Sequence, residues 1–133
     1  MAASAAGMVA EAVPVPDYGL RRSRLRRSSE AGAEGGGVLI TSAADVTWLT
    51  GFTGSNGAVL LCEGQVVLAT DSRYREQARD QCPDVELLIE RDVSAALLAA
   101  ADAIGVRRLV FSDDDVSVAQ LQRWSEDCDL TFV

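Results

Sequence analysis

The sequence predicts an α/β fold built on a mixed β-sheet flanked by helices. Three observations lead there. Short runs rich in Val, Leu and Ile recur along the chain at strand length. Between the later runs lie segments with helical spacing and helix-start signals. One pair of runs is separated only by Glu63-Gly64, the length of a hairpin turn. The βα alternation implies parallel strands with helices packed on the sheet, and the hairpin adds an antiparallel portion.

The elements follow in order. Residues 1–16 read as a flexible leader ending in "PVP", and the domain is expected over 17–133. A helix is expected over 17–33, weakened by Ser28, Ser29, Gly32 and the glycines at 35–37. "GVLIT" is a buried strand. Ser42, with Asp45 three residues later, has the capping-box pattern and opens a short helix through "SAADVTWL". "GAVLLCE" and "QVVLATD" form the hairpin. "SRYREQARDQ" is a helix with Asp71 as its N-cap and Pro83 beyond its end. "VELLIE" is a strand. "VSAALLAAADAI" is a helix with Val93, Leu97, Ala101 and Ile104 on one face, closed by Gly105. "RRLVFS" is a strand. Ser117 and Gln120 form a second capping box, opening a helix with Val118, Leu121 and Trp124 inward, and "DLTFV" begins a last strand. The apolar ending "LTFV" fits a chain cut from a longer protein.

Composition excludes several functions. The 133 residues suffice for one domain with a core. All twelve basic residues are Arg, against twenty acids, for a net charge of −8. A nucleic-acid partner is not expected, because phosphate binding needs a basic field. Residues 1–27 carry five Arg and two acids, a net of +3, so residues 28–133 carry −11. The basic stretch "RRSRLRR" at 21–27 reads as a solvated helix face. Cys62, Cys82 and Cys128 are too far apart for a metal motif and read as reduced thiols of a cytoplasmic protein. No run has the length of a membrane span, and no membrane partner is expected. The chain has no His, which removes Ser-His-Asp and Cys-His nucleophilic systems and most transition-metal sites.

Three stretches could carry chemistry. Gly51, Gly54 and Gly57 in "WLTGFTGSNG" are spaced G-x-x-G-x-x-G. A dinucleotide loop needs G-x-G-x-x-G after a strand and before a helix, and a P-loop needs a Lys. Here a helix precedes and a strand follows, so the glycines read as a helix C-cap and a tight strand entry. That reading leaves Phe52, Ser55 and Asn56 unaccounted for. In "TDSRYREQA", Asp71 could be a nucleophile or a metal ligand, but capping is the commoner role. Arg73 could clamp a carboxylate or pair internally, for example with Asp45. Tyr74 is more often core than catalytic. The acids 113–115 sit where a helix dipole already explains them, and metal binding there is not expected.

Together, "GVLITSAADVTWLTGFTGSNGAVLL" and "VVLATDSRYREQA" strongly resemble the N-terminal domain of the creatinase/prolidase family, nearest to Xaa-Pro aminopeptidases and Xaa-Pro dipeptidases. The resemblance covers residues 18–133. It implies a ribonuclease H-like core within the mixed sheet. It also implies a following catalytic domain of the same protein, with two Mn²⁺, Co²⁺ or Zn²⁺ ions held by two Asp, one His and two Glu. That metallopeptidase domain would hydrolyse the bond before a proline in proline-containing peptides. This chain would hold no catalytic residue and no metal ligand, would be inactive alone, and would contribute to a homodimer and to substrate access. By position, Trp48, Phe52, Ser55 and Asn56 are expected nearest substrate, with Asp71, Arg73 and Tyr74 as structural pins. The Arg that creatine-hydrolysing members carry on this loop falls near Gly54, which does not favour a creatinase. The alternatives are a free-standing binding or regulatory module and the N-terminal domain of a creatinase-like hydrolase.

Overall fold

The computed structural model describes residues 16–29, 35–112 and 114–133. The expected leader, Pro16 apart, and the expected helix beyond Ser29 lie outside them. Five α-helices and six strands are found among the described residues: α1 Tyr18–Ser28, β1 Gly36–Ile40, α2 Ala43–Thr50, β2 Gly57–Cys62, β3 Gln65–Thr70, α3 Arg75–Gln81, β4 Glu86–Ile89, α4 Val93–Ile104, β5 Arg108–Phe111, α5 Val118–Asp127 and β6 Thr131–Phe132. A 3₁₀ turn, Ser72–Tyr74, intervenes between Asp71 and α3.

The strands form one sheet in the order β4-β3-β2-β1-β5-β6. The pairs β1–β2 and β2–β3 are antiparallel, while β3–β4, β1–β5 and β5–β6 are parallel. Successive residues point to opposite faces, so each strand feeds two cores. Leu39, Leu60 and Leu109 pack with Leu97, Leu98 and Ala101 of α4 and Trp124 of α5. Val38, Ile40, Val59, Leu61 and Leu68 pack with Val46 and Leu49 of α2 and Ala78 of α3. Both faces are covered, which is why the strands read as continuous apolar runs rather than as alternating ones.

The register gathers several loops at one end of the sheet. Ile40 lies opposite Val59, Gly57 opposite Thr70, Thr70 beside Ile89, and Leu39 beside Phe111. The carboxyl ends of β1, β3, β4 and β5 and the start of β2 therefore share one end of the sheet.

The local signals form as the sequence predicts at several points. Ser117 and Gln120 make the full reciprocal capping box. Gly105 takes the left-handed conformation at φ 101°, with its N–H and that of Val106 both donating to Ala101. Ser42 makes only half a box, accepting from the Asp45 N–H. Two residues expected inward are not. Ile104 ends α4 just before the chain turns away and is 38 % exposed, while Leu98 fills the core instead. Val118 opens α5 ahead of its contact with the sheet and is 72 % exposed.

The arginine stretch is more than a solvated face. Arg22 is buried; its Nη1 donates to the Leu49 carbonyl at 3.0 Å and its Nη2 to Asp84 at 2.5 Å. Arg21 donates to the Trp48 carbonyl at 2.8 Å. These carbonyls lie in the last turn of α2, where backbone acceptors lack helical partners and cations are favoured. Tyr18 and Leu25 complete the docking of α1, the first against Gly51 and the second against the core.

Candidate functional site

The end of the sheet that gathers the loops is built around one buried ring. Gly51 closes α2 in the left-handed conformation at φ 85°, its N–H donating to the Thr47 carbonyl at 2.8 Å. The chain then turns Phe52 inward, where it is 1 % exposed. Thr47 Oγ1 donates to the Phe52 carbonyl at 2.6 Å, and the Phe52 N–H donates to Thr50 Oγ1 at 3.1 Å. The ring lies directly against Gly54 and Gly57. A Cβ at Gly57 would stand 2.8 Å from Phe52 Cε2, and one at Gly54 would overlap the ring outright. The glycine spacing is thus a mould for an aromatic side chain.

Polar side chains fasten the loop on both sides of that ring. On one side, the Thr53 N–H donates to Gln81 Oε1 at 3.0 Å, and Thr53 Oγ1 accepts from Gln77 and Gln81 at 3.0 and 2.9 Å. On the other, Ser55 Oγ and Tyr74 Oη share a 2.6 Å bond, and Asn56 Nδ2 donates to Asp71 Oδ2 at 2.8 Å. Thr70 Oγ1 donates to the Asn56 carbonyl at 2.5 Å. Tyr74 also meets Phe52 edge-on, with centroids 5.8 Å apart.

Asp71 is the electrostatic centre. Besides Asn56 it accepts from the Arg73 N–H at 3.0 Å and from Arg73 Nε and Nη2 at 2.8 Å each. These bonds from Arg73 and then Asn56 hold its carboxyl well below the ordinary aspartate range, and Arg73 is raised in return. The Ser55 hydroxyl lowers the Tyr74 phenol. The internal pair of Arg73 is therefore with Asp71; the pairing suggested with Asp45 does not form, because the nearer carboxylate two residues back takes the Nε and Nη2 donors.

The positional expectations separate accordingly. Trp48 is 54 % exposed on α2 and Ser55 is exposed at the loop tip, whereas Asn56 is half-buried on Asp71 and Phe52 lies beneath the surface. The sequence reading missed the Gln77–Gln81 clamp, although their spacing of four on one helix was a usable signal. It also missed the arginine caps of α2, which bear no local mark.

A metal centre does not fit these residues. Among the described residues no three His, Cys, Asp or Glu side chains come together as a ligand set. Asp115 accepts from the Thr41 hydroxyl, Asp114 is exposed, and Asp113 lies outside the described residues.

Comparison with known proteins gives this geometry a context. A family model described as "Creatinase/Prolidase N-terminal domain" matches residues 21–133. The N-terminal domain of the cytoplasmic peptidase PepQ from Mycobacterium tuberculosis superposes with a TM-score of 0.77 and 38 % identity, over 86 % of this chain and 91 % of that one. The Xaa-Pro dipeptidase from Bacillus anthracis superposes with a TM-score of 0.78 and 26 % identity, over 88 % of this chain but 33 % of its own. The uncharacterized peptidase YqhT of Bacillus subtilis is 34 % identical over 91 residues, which are 67 % of this chain. The match spans 26 % of YqhT.

Proposed function

The chain belongs to the creatinase/prolidase N-terminal domain family, and from that premise we propose that it is the non-catalytic N-terminal domain of a metal-dependent Xaa-Pro peptidase, an aminopeptidase P or an Xaa-Pro dipeptidase. The observation that carries this reading is the pair of coverages on the Bacillus anthracis dipeptidase: most of this chain, one third of that enzyme. The remaining two thirds are where catalysis would reside. Two divalent metal ions in that C-terminal domain would supply the hydrolytic chemistry; among the described residues of this chain no suitable donor set comes together. No step of the reaction falls to residues of this chain.

Its proposed role is to shape access and to help form a homodimer, with the domain over 17–133 preceded by a leader. Trp48 and Ser55 offer exposed side chains toward a proline-containing peptide, while Phe52 and Asn56 hold the loop from beneath. Asp71, Arg73 and Tyr74 pin the same corner. A loop fastened on two sides suits such a role, because a rigid rim excludes large peptides at little entropic cost. A cytoplasmic setting is supported by the description of the Mycobacterium relative. No helix among the described residues is long and apolar enough to cross a membrane.

The test is to sequence the gene past Val133 and assay the encoded polypeptide and the present chain side by side, with Mn²⁺, on Xaa-Pro dipeptides, longer Xaa-Pro peptides and creatine. Peptide cleavage by the longer polypeptide alone is the expected result. Turnover by residues 1–133, or creatine hydrolysis without peptide cleavage, overturns the proposal.

A further inference from the structure

A second feature at the same end of the sheet has no part in the loop corner. β1 leads into α2, whose Val46 and Leu49 pack on one face of the sheet. Its parallel neighbour β5 leads into α5, whose Trp124 packs on the other. The chain thus leaves two adjacent parallel strands in opposite directions. Such a switch opens a crevice at the carboxyl ends of the strands, the place where open α/β sheets bind ligands. Here the crevice is a cavity of about 280 Å³. Its wall is apolar, formed chiefly by Leu25, Ile40, Trp48 and Val110. Its polar groups are Thr41, Ser42, Asp45 and Ser112, and Asp45 supplies the one charge among the lining residues.

We propose that this crevice is a binding site for a small organic cation, an amine with an apolar body no larger than an amino-acid side chain. The volume lies at the small end of ligand pockets, which sets the size. The apolar wall selects the body, and the Asp45 carboxylate with the neighbouring hydroxyls selects the ammonium. Arg21 is not among the lining residues: its guanidinium lies 4.5 Å from the Trp48 ring and donates to the Trp48 carbonyl. The same contact holds the indole in place as one wall of the cavity. The inference shares Trp48 with the peptidase reading, but it concerns a surface of this chain alone and is tested without the catalytic domain.

Titration of the ¹⁵N-labelled chain with phenethylamine tests it, with 3-phenylpropanoate and 2-phenylethanol as probes of equal body and different head. The two tryptophans provide an internal control, since Trp124 is buried in the opposite core. The expected result is saturable shifts of the Trp48 indole and the Val110 and Ser112 amides at millimolar amine, with the Trp124 indole unmoved. Asp45→Asn should weaken amine binding about threefold or more while leaving the alcohol unchanged. Val110→Trp, which fills the cavity, should abolish both, its Trp124 signal reporting that the fold survives. Shifts that do not saturate, that map elsewhere, or that the carboxylate reproduces equally would overturn the assignment.

Discussion

The loop corner around Phe52 and the crevice beside Trp48 lie at one end of one sheet, and they differ in what lines them. In the corner, Thr53, Ser55, Asn56, Asp71 and Tyr74 all bond one another or nearby side chains. In the crevice, the exposed Asp45 shares the lining with apolar side chains. The difference teaches that a glycine-rich loop is not by that fact a binding loop. Gly54 and Gly57 serve an internal ring, and the loop's polar side chains are bonded within the corner, the exposed Ser55 included. The less conspicuous switch between β1 and β5 is the part left open.

The largest test of this contrast is Phe52→Ala. Removing a ring that is 1 % exposed should cost about 3–5 kcal/mol in urea unfolding. A loss under about 1 kcal/mol would show that the corner does not rest on it. Gly54→Ala comes next: its methyl would meet the ring, so a loss of about 1–3 kcal/mol is expected, without any change at the crevice. Asp71→Asn probes the electrostatics through pH. The Asp71 carboxyl is depressed in the folded state, so its contribution is fully present above the unfolded aspartate value of about 4 and is lost as pH falls below it. The variant should flatten the acid limb of the stability profile, and an unchanged limb would remove Asp71 from its central place. Trp48→Ala should do least for stability, about 1 kcal/mol or less, because it forfeits an exposed indole and its stack on Arg21. Thiol chemistry sharpens the same map. Burial pushes Cys82 up to about 11, so mass spectrometry of the native chain after iodoacetamide should find Cys82 unmodified and half-buried Cys128 labelled first.

What the sequence disclosed follows from the range of the signals. Strands β1 to β3 were legible because apolar runs bounded by Gly51, Gly57 and Gly64 need no distant information. The ends of α4 and α5 were legible because Gly105 and the Ser117–Gln120 pair act within a single turn. Phe52 was not legible as a core residue: an aromatic inside a polar loop reads as exposed until the partner surface of Gly54 and Gly57 is known. Arg22 was hidden for the same reason. Its partners stand 27 and 62 residues away, and nothing in "RRSRLRR" distinguishes it from its less buried neighbours. Asp71 and Tyr74 bond Asn56 and Ser55, which come from another segment and leave no local mark in "TDSRYREQA".

The strand order has a bearing on how the chain is made. Strands β1 to β4 lie side by side in the order of synthesis, so a four-stranded sheet can assemble from the first two thirds of the chain. The parallel partner of β1 arrives later: Gly36 waits for Arg108. Until then β1 is an edge of bare backbone donors and acceptors, flanked by apolar residues such as Val38 and Ile40. Such an edge invites pairing with another nascent chain. Any truncation that removes β5 should therefore reveal itself first as aggregation.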